Sequence, residues 1–265
     1  MNTGRSRLDG GPALPADPDL VRRALAGSAR VGPFFAVSLT GEGRDWRPAA
    51  EVYAGGLAGP IRSTGEQLGV TESRVAAATV HLGYAARLWS PVLYCALCWG
   101  LVPDLAGLRL ATSPSIRLSL PEPRGWRAEG QAALAALAYR VVADQHLEPL
   151  ARGLTVKIAG GLLRGNAAAA MTAALRVLVA SQSGPCEPTG TGYAAETGLD
   201  RAARAMAQTL LGTGILRGTG ELTGPGLEFR RRSCCLFYRV PGGGLCGDCP
   251  LPARPSREDH RPPGG

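Results

Sequence analysis

The most constraining feature of the chain is a group of four cysteines in residues 229–251, FRRRSCCLFYRVPGGGLCGDCPL, spaced C-C-x10-C-x2-C. Cys246 and Cys249 have the separation of a knuckle, a tight turn in which two thiolates grip one metal, and Gly247 relieves the backbone crowding of such a turn. Pro241, followed by Gly242, Gly243 and Gly244, marks a reversal that can carry this pair of sulfurs back to the first pair, Cys234 and Cys235. Adjacent side chains on a regular strand point to opposite faces. Either the backbone kinks at Cys234 and Cys235, or the two sulfurs address different metal atoms. Both options suit two irons bridged by sulfide better than a single zinc, whose structural sites usually draw on two spaced pairs. Disulfide pairing is the other alternative: a bond between neighbours is strained, and one from Cys235 to Cys246 is feasible but rare in a reducing compartment.

The remainder of the 265 residues suffices for one main domain with this segment as a small appendage. Aromatic residues supply only 5%, so the core must be built from Ala, Leu and Val. A net charge of +8 would suit a polyanion, but Lys157 is the only lysine and the arginines are spread along the chain rather than gathered in a stripe. Nucleic acid is therefore not an expected partner. The first 20 residues contain no apolar h-region, which argues against a secretory signal and for a cytoplasmic protein. Residues 88–102 form the longest apolar stretch, but it contains Pro91 and falls short of the roughly 20 residues of a spanning helix. A buried helix is expected there, with a peripheral association at the inner face of the membrane left open.

Local patterns predict an α+β fold that is mainly helical, with a few short antiparallel strands and the cysteine-rich segment at its C-terminal end. Residues 1–14 read as disordered, 15–228 as the helical domain, 229–251 as the cluster-binding segment and 252–265 as a disordered, Pro- and Gly-rich tail. Asp17 and Pro18 are an N-cap and first helical position for a helix ending near Gly27. Residues 34–40 suggest a strand, with a hairpin leading to Trp46. From Thr71 a long helix is expected to end where Ser90 and Pro91 start a second, the two forming a central helical hairpin. Residues 115–120 alternate as a half-exposed strand. Helices follow over 128–144, 145–152, 155–181 and 193–211, the third weakened by Gly160, Gly161 and Gly165.

The stretch RRSCCLFYRVPGGGLCGDCPL resembles the C-terminal 2Fe-2S motif of the ferric siderophore reductases of the FhuF type. WRPAAEVY at 46–53, LGYAARLWSPVL at 82–93 and LLRGNAAAAMTAALR at 162–176 resemble the family's other blocks, so the likeness runs from about Gly32 to Leu251. The resemblance implies Cys234, Cys235, Cys246 and Cys249 as ligands of a 2Fe-2S cluster. It also implies a cytoplasmic enzyme that reduces an Fe(III)-siderophore by one electron, releasing Fe(II), with electrons from a separate donor. Arg230, Arg231, Arg232 and Arg239 flank the ligands; Arg232 and Arg239 are the choices for docking substrate or donor, against the plainer reading of a solvated basic edge. Phe237 and Tyr238 are expected to shield the cluster. Cys95 and Cys98 lie in an apolar run and read as core packing, Cys186 as a free thiol, and His81, His146 and His260 as structural. The glycines at 212, 214, 218 and 220 lack the GKS or GKT of a phosphate loop, and no Rossmann fingerprint is present. Two other readings compete: a zinc-stabilised interaction or nucleic-acid-binding module, and a ferredoxin-like carrier serving another enzyme.

Overall fold

The computed structural model describes residues 13–41, 43, 45–181 and 198–251. The N-terminal segment and the tail read as disordered fall almost wholly outside these, but Leu14 is placed: β1 (Leu14–Pro15) pairs antiparallel with residues 126 and 127. Asp17 then accepts the Asp19 N–H at 2.9 Å and caps α1 (Pro18–Ser28), with Pro18 at the first helical position as expected. The strand expected over 34–40 shrinks to β2 (Val37–Ser38). The residues after Trp46 form β3 (Arg47–Pro48), which pairs with a later strand rather than folding back on β2 as a hairpin. Two short helices follow, α2 (Ala49–Ala54) and α3 (Ala58–Leu68).

The centre of the molecule is α4 (Ser73–Trp99), one unbroken helix where the sequence suggested two. Pro91 removes one backbone donor and normally costs a helix interior about 3 kcal/mol. Every residue from Leu88 to Trp99 is nevertheless buried. A turn at Pro91 would have left several unpaired peptide groups in that dry interior, a greater cost than one missing hydrogen bond. The Ser90 hydroxyl donates to Ala86 O at 2.7 Å in the turn before the proline. Gly100 ends the helix in the left-handed conformation, φ 62°, where a side chain would be strained.

Four short strands succeed it: β4 (Leu101–Asp104), β5 (Arg109–Ala111), β6 (Arg117–Ser119) and β7 (Arg124–Arg127). They make two small sheets, ordered β1-β7-β4 and β2-β6-β5-β3. All pairings are antiparallel except β2 with β6, which is parallel and departs from the expected pattern. Ser119, expected on the exposed face of β6, is fully buried because its hydroxyl donates to Thr40 O at 3.1 Å.

The two helices read over 128–152 are joined without a break. α5 (Gln131–Tyr139) widens into a π-helix over Arg140–Leu147 and continues as α6 (Glu148–Gly153). α7 (Gly160–Ala180) is long and apolar enough to cross a membrane, yet 72% of that window is buried inside the protein, where the helix packs against α4. It begins five residues later than the sequence suggested. α8 (Leu199–Leu211) closes the helical body; the residues before 198 that were assigned to it lie outside the described ones. The chain is mainly helical with short strands in small sheets, and its last described residues carry the clustered cysteines.

Candidate metal centre

The cysteine segment grows out of a two-stranded ribbon, β8 (Gly220–Leu222) against β9 (Phe229–Arg231), with Gly220 opposite Arg231. The Arg232 N–H donates to Thr219 O at 2.8 Å and extends the ribbon by one step. Regular pairing stops there, and Cys234 and Cys235 follow on irregular backbone. Leu236 then takes a left-handed conformation, φ 70°, rare for a branched side chain, and its N–H donates to Cys234 Sγ at 3.3 Å. The kink expected at Cys234 and Cys235 falls one residue later, at Leu236. A short 3-10 turn, Phe237–Arg239, leads to the reversal at Pro241 and Gly242, and Gly243 closes it by donating to Val240 O at 2.8 Å. The Cys249 N–H donates to Cys246 O at 3.1 Å and forms the knuckle.

All four cysteines of the segment are free thiols; Cys235 is buried and the other three are half-buried. Across the reversal, the thiols of Cys235 and Cys246 hydrogen-bond to each other, and Cys249 lies near enough to act on Cys246 through its charge. The Cys246 thiol is pushed up to about 12, by burial first and then by Cys235. A metal bound by Cys246 would displace its proton. Cys234 makes its hydrogen bond locally, to Leu236. Among the described residues no three cysteine, histidine or acidic side chains are gathered as a single-ion site would need. A two-iron centre asks for four thiolates shared between two irons, and the donor set here, all sulfur and disposed as two pairs on either side of a reversal, fits that demand.

Polar ties fasten the segment to the helical body. The Ser233 hydroxyl donates to Gly161 O at 2.9 Å at the start of α7. The Arg231 guanidinium donates to Asn166 Oδ1 at 2.6 Å, and Asn166 in turn donates to Ala78 O of α4 at 2.8 Å. Asp248 accepts the Arg231 N–H at 3.2 Å and pairs with Arg176 at 3.1 Å. Leu236 packs on Ala78, Leu162 and Leu163. Gly165 permits this approach: a Cβ there would collide with Ser233 Oγ. The glycine that weakens α7 as a sequence is the one that lets the segment dock.

The flanking residues sit differently from one another. Arg232 is exposed, with no side-chain hydrogen bond or ion pair among the described residues. Arg239 donates to Glu72 Oε2 at 2.8 Å and lies over the ring of Tyr238. Phe237 and Tyr238, expected as cover, are 37% and 44% exposed and so form an open rim. The kink at Leu236 turns them outward. Cys95 is a free thiol buried in the core, pushed far up by burial, whereas Cys98, also buried, is disulfide-bonded and not merely a small packing group. Cys186 and His260 lie outside the described residues.

Sequence reasoning passed over a second polar cluster. The Tyr53 hydroxyl donates to His146 Nδ1 at 2.6 Å and accepts from the Tyr84 hydroxyl at 2.5 Å, while His146 Nε2 donates to Leu105 O at 3.1 Å. Burial holds His146 down to about 4 and raises both tyrosines. Tyr53 and His146 border a cleft of about 940 Å³ that also meets Arg109 and Arg152. Two of the residues come from stretches singled out for their family likeness, 46–53 and 82–93, but only the third dimension joins them to a histidine on the π-helix.

Residues 231–251 match the family model of the FhuF 2Fe-2S C-terminal domain. No curated protein and no solved structure matches the chain. The match spans the four cysteines and the reversal between them, and it assigns the segment a 2Fe-2S cluster as its cofactor.

Proposed function

We propose, from the premise that residues 231–251 form a FhuF-type 2Fe-2S domain, that the chain reduces Fe(III)-siderophore complexes by one electron and so releases Fe(II) in the cytoplasm. The observation that carries this reading is the pairing of Cys235 and Cys246 across a glycine-lined reversal, within a segment whose other two cysteines are half-buried. When bound, the cluster supplies a one-electron centre whose potential depends on nearby charge, hydrogen bonds and solvent access. The chain's part is to hold that centre at an accessible edge. Ser233, Asn166 and Asp248 fix the segment on α7 and α4, while the exposed Phe237, Tyr238 and Arg232 leave its outer side open to substrate and donor. Reduction suffices for release because hard siderophore oxygens suit Fe(III) and hold the softer, less charged Fe(II) far less tightly.

The test is a single-turnover experiment. Anaerobic protein is reduced with dithionite, desalted, and mixed under argon with hydroxamate, catecholate and mixed ferric siderophores in the presence of an Fe(II) chelator. One equivalent of chelated Fe(II) per cluster reoxidised, with a rate that discriminates among siderophores, supports reductase activity. Equal rates for all three, matching those for a small ferric chelate, would instead indicate a general electron carrier.

A further inference from the structure

We propose that the buried guanidinium of Arg231 is the counter-cation of the cluster and holds its reduction potential up; this rests on reading residues 231–251 as a 2Fe-2S site. Arg231 is only 2% exposed. A cation in so dry a position ordinarily meets a carboxylate, because desolvating an unpaired charge costs more than neutral hydrogen bonds return. Arg231 meets none. Its Nη2 donates to Asn166 Oδ1 at 2.6 Å and to Leu162 O at 3.5 Å, both neutral. Its Nε is buried without a partner, and every ion pair among the described residues uses a different arginine. His81 feels the uncompensated charge: burial, then Arg231, holds this imidazole down to about 4.

Arg231 is tied to the stretches of chain that carry both cysteine pairs. Its backbone N–H donates to Asp248 O, one residue before Cys249. Its side chain shares the space over Gly165 with Ser233, one residue before Cys234, and a Cβ on Gly165 would come within 3.0 Å of Arg231 Nη2. The negative charge that the site lacks is the charge that four thiolates bring once they bind iron. When one electron arrives from an external donor, no bond forms or breaks and the site becomes more negative by one unit. A fixed cation favours that reduced state, and it does so strongly where water does not screen it. Arg230, Arg232 and Arg239 are exposed, so solvent and salt blunt their influence.

The deciding measurement is a spectroelectrochemical titration of anaerobically purified protein, with iron and sulfide analysis, for the wild type, Arg231→Met, Arg231→Lys and Asn166→Asp. At the wild-type midpoint, Arg231→Met should show at least a tenfold lower ratio of reduced to oxidised cluster, a shift of about 59 mV to the negative for a one-electron couple. Arg231→Lys should stay within about threefold of wild type, since the charge is kept. Asn166→Asp leaves the guanidinium in place but gives it a carboxylate, so it should shift in the same direction as Arg231→Met. An unshifted midpoint in a fully loaded Arg231→Met or Asn166→Asp protein would overturn the inference. If Arg231→Met does not load, Asn166→Asp decides alone. A wild-type protein that binds no iron would sink the functional reading itself, a separate result.

Discussion

In α4 every residue from Leu88 to Trp99 is buried, whereas between Arg232 and Leu251 only Cys235 and Val240 are, and a single 3-10 turn is the only regular structure. The helix is apolar on all sides and is held by packing, which needs no particular partner at any one position. The segment is held at separate points, by Ser233 on Gly161, Arg231 on Asn166 and Asp248 on Arg176, and its Cys235 and Cys246 thiols meet across the reversal. Apolar burial can carry the body without metal, but it cannot by itself fix twenty residues of irregular chain against their conformational entropy. The two regions should therefore fail independently.

Cys246→Ser separates them most sharply. Removing one thiolate from the Cys235 and Cys246 pair should abolish cluster binding, seen as loss of the red-brown colour and of stoichiometric iron. The far-UV circular dichroism of the helical body should stay unchanged. A colourless protein that also loses its helices would mean that the body depends on the metal. Leu97→Ala makes the converse break. Leu97 is fully buried in α4, and emptying its site should cost about 2–5 kcal/mol of stability, read as a lower denaturation midpoint in loaded and metal-free protein alike.

Acid probes the body through a different group. Tyr53 donates to His146 on one ring nitrogen and Leu105 O accepts from the other; that bond to Leu105, and then the charge of Asp104, oppose the effect of burial but do not overcome it. His146 therefore stays neutral in the fold down to about pH 4, while in the unfolded chain it takes a proton near 6.5. Between those values the unfolded state binds more protons. The stability contributed by the neutral imidazole is complete above about pH 6.5 and is lost as the pH falls towards 4, a total of about 3 kcal/mol. Denaturant titrations at pH 7 and 4.5 should show this slope in the wild type. His146→Gln should flatten it only in part, because His81 is held down over the same window.

The same contrast explains what could be read in advance. The four cysteines, the knuckle and the reversal were legible because each is a local pattern with a local cause, and the Asp17 cap was legible for the same reason. The helical character of the body was also visible, since α4 and α7 are long and apolar. What escaped was decided by surroundings. Pro91 is a helix breaker in isolation, and only the burial of both flanks makes an unbroken helix the cheaper outcome. Arg231 sits in a run of three arginines with nothing in the run to distinguish it. Strand alternation was the available signal: β9 points its first and third residues, Phe229 and Arg231, inward and Arg230 outward. The outward turn of Phe237 and Tyr238 follows from the left-handed Leu236, which no composition would suggest.

The smallest expected effect concerns the boundary between the two regions, where Arg239 reaches from the segment to Glu72, the residue that precedes α4. Hydrogen bonds from Arg74 first and Arg239 second hold the Glu72 carboxyl below its usual range, but both partners are solvent-exposed and such a pair is worth little to stability. Thermal midpoints of Glu72→Gln and Arg239→Gln should therefore match the wild type within error. Association rates can still tell a tether from a docking residue. If Arg239 only ties the segment down, both variants should leave the second-order rate of cluster reduction by an acidic donor protein alike. If it steers the donor, Arg239→Gln should slow that rate by on the order of threefold at low ionic strength, and Glu72→Gln, which frees the arginine, should speed it. Both differences should vanish at high salt, where a charge this exposed is screened. The exposure of Arg239 and its hydrogen bond to the exposed Tyr238 favour the steering outcome.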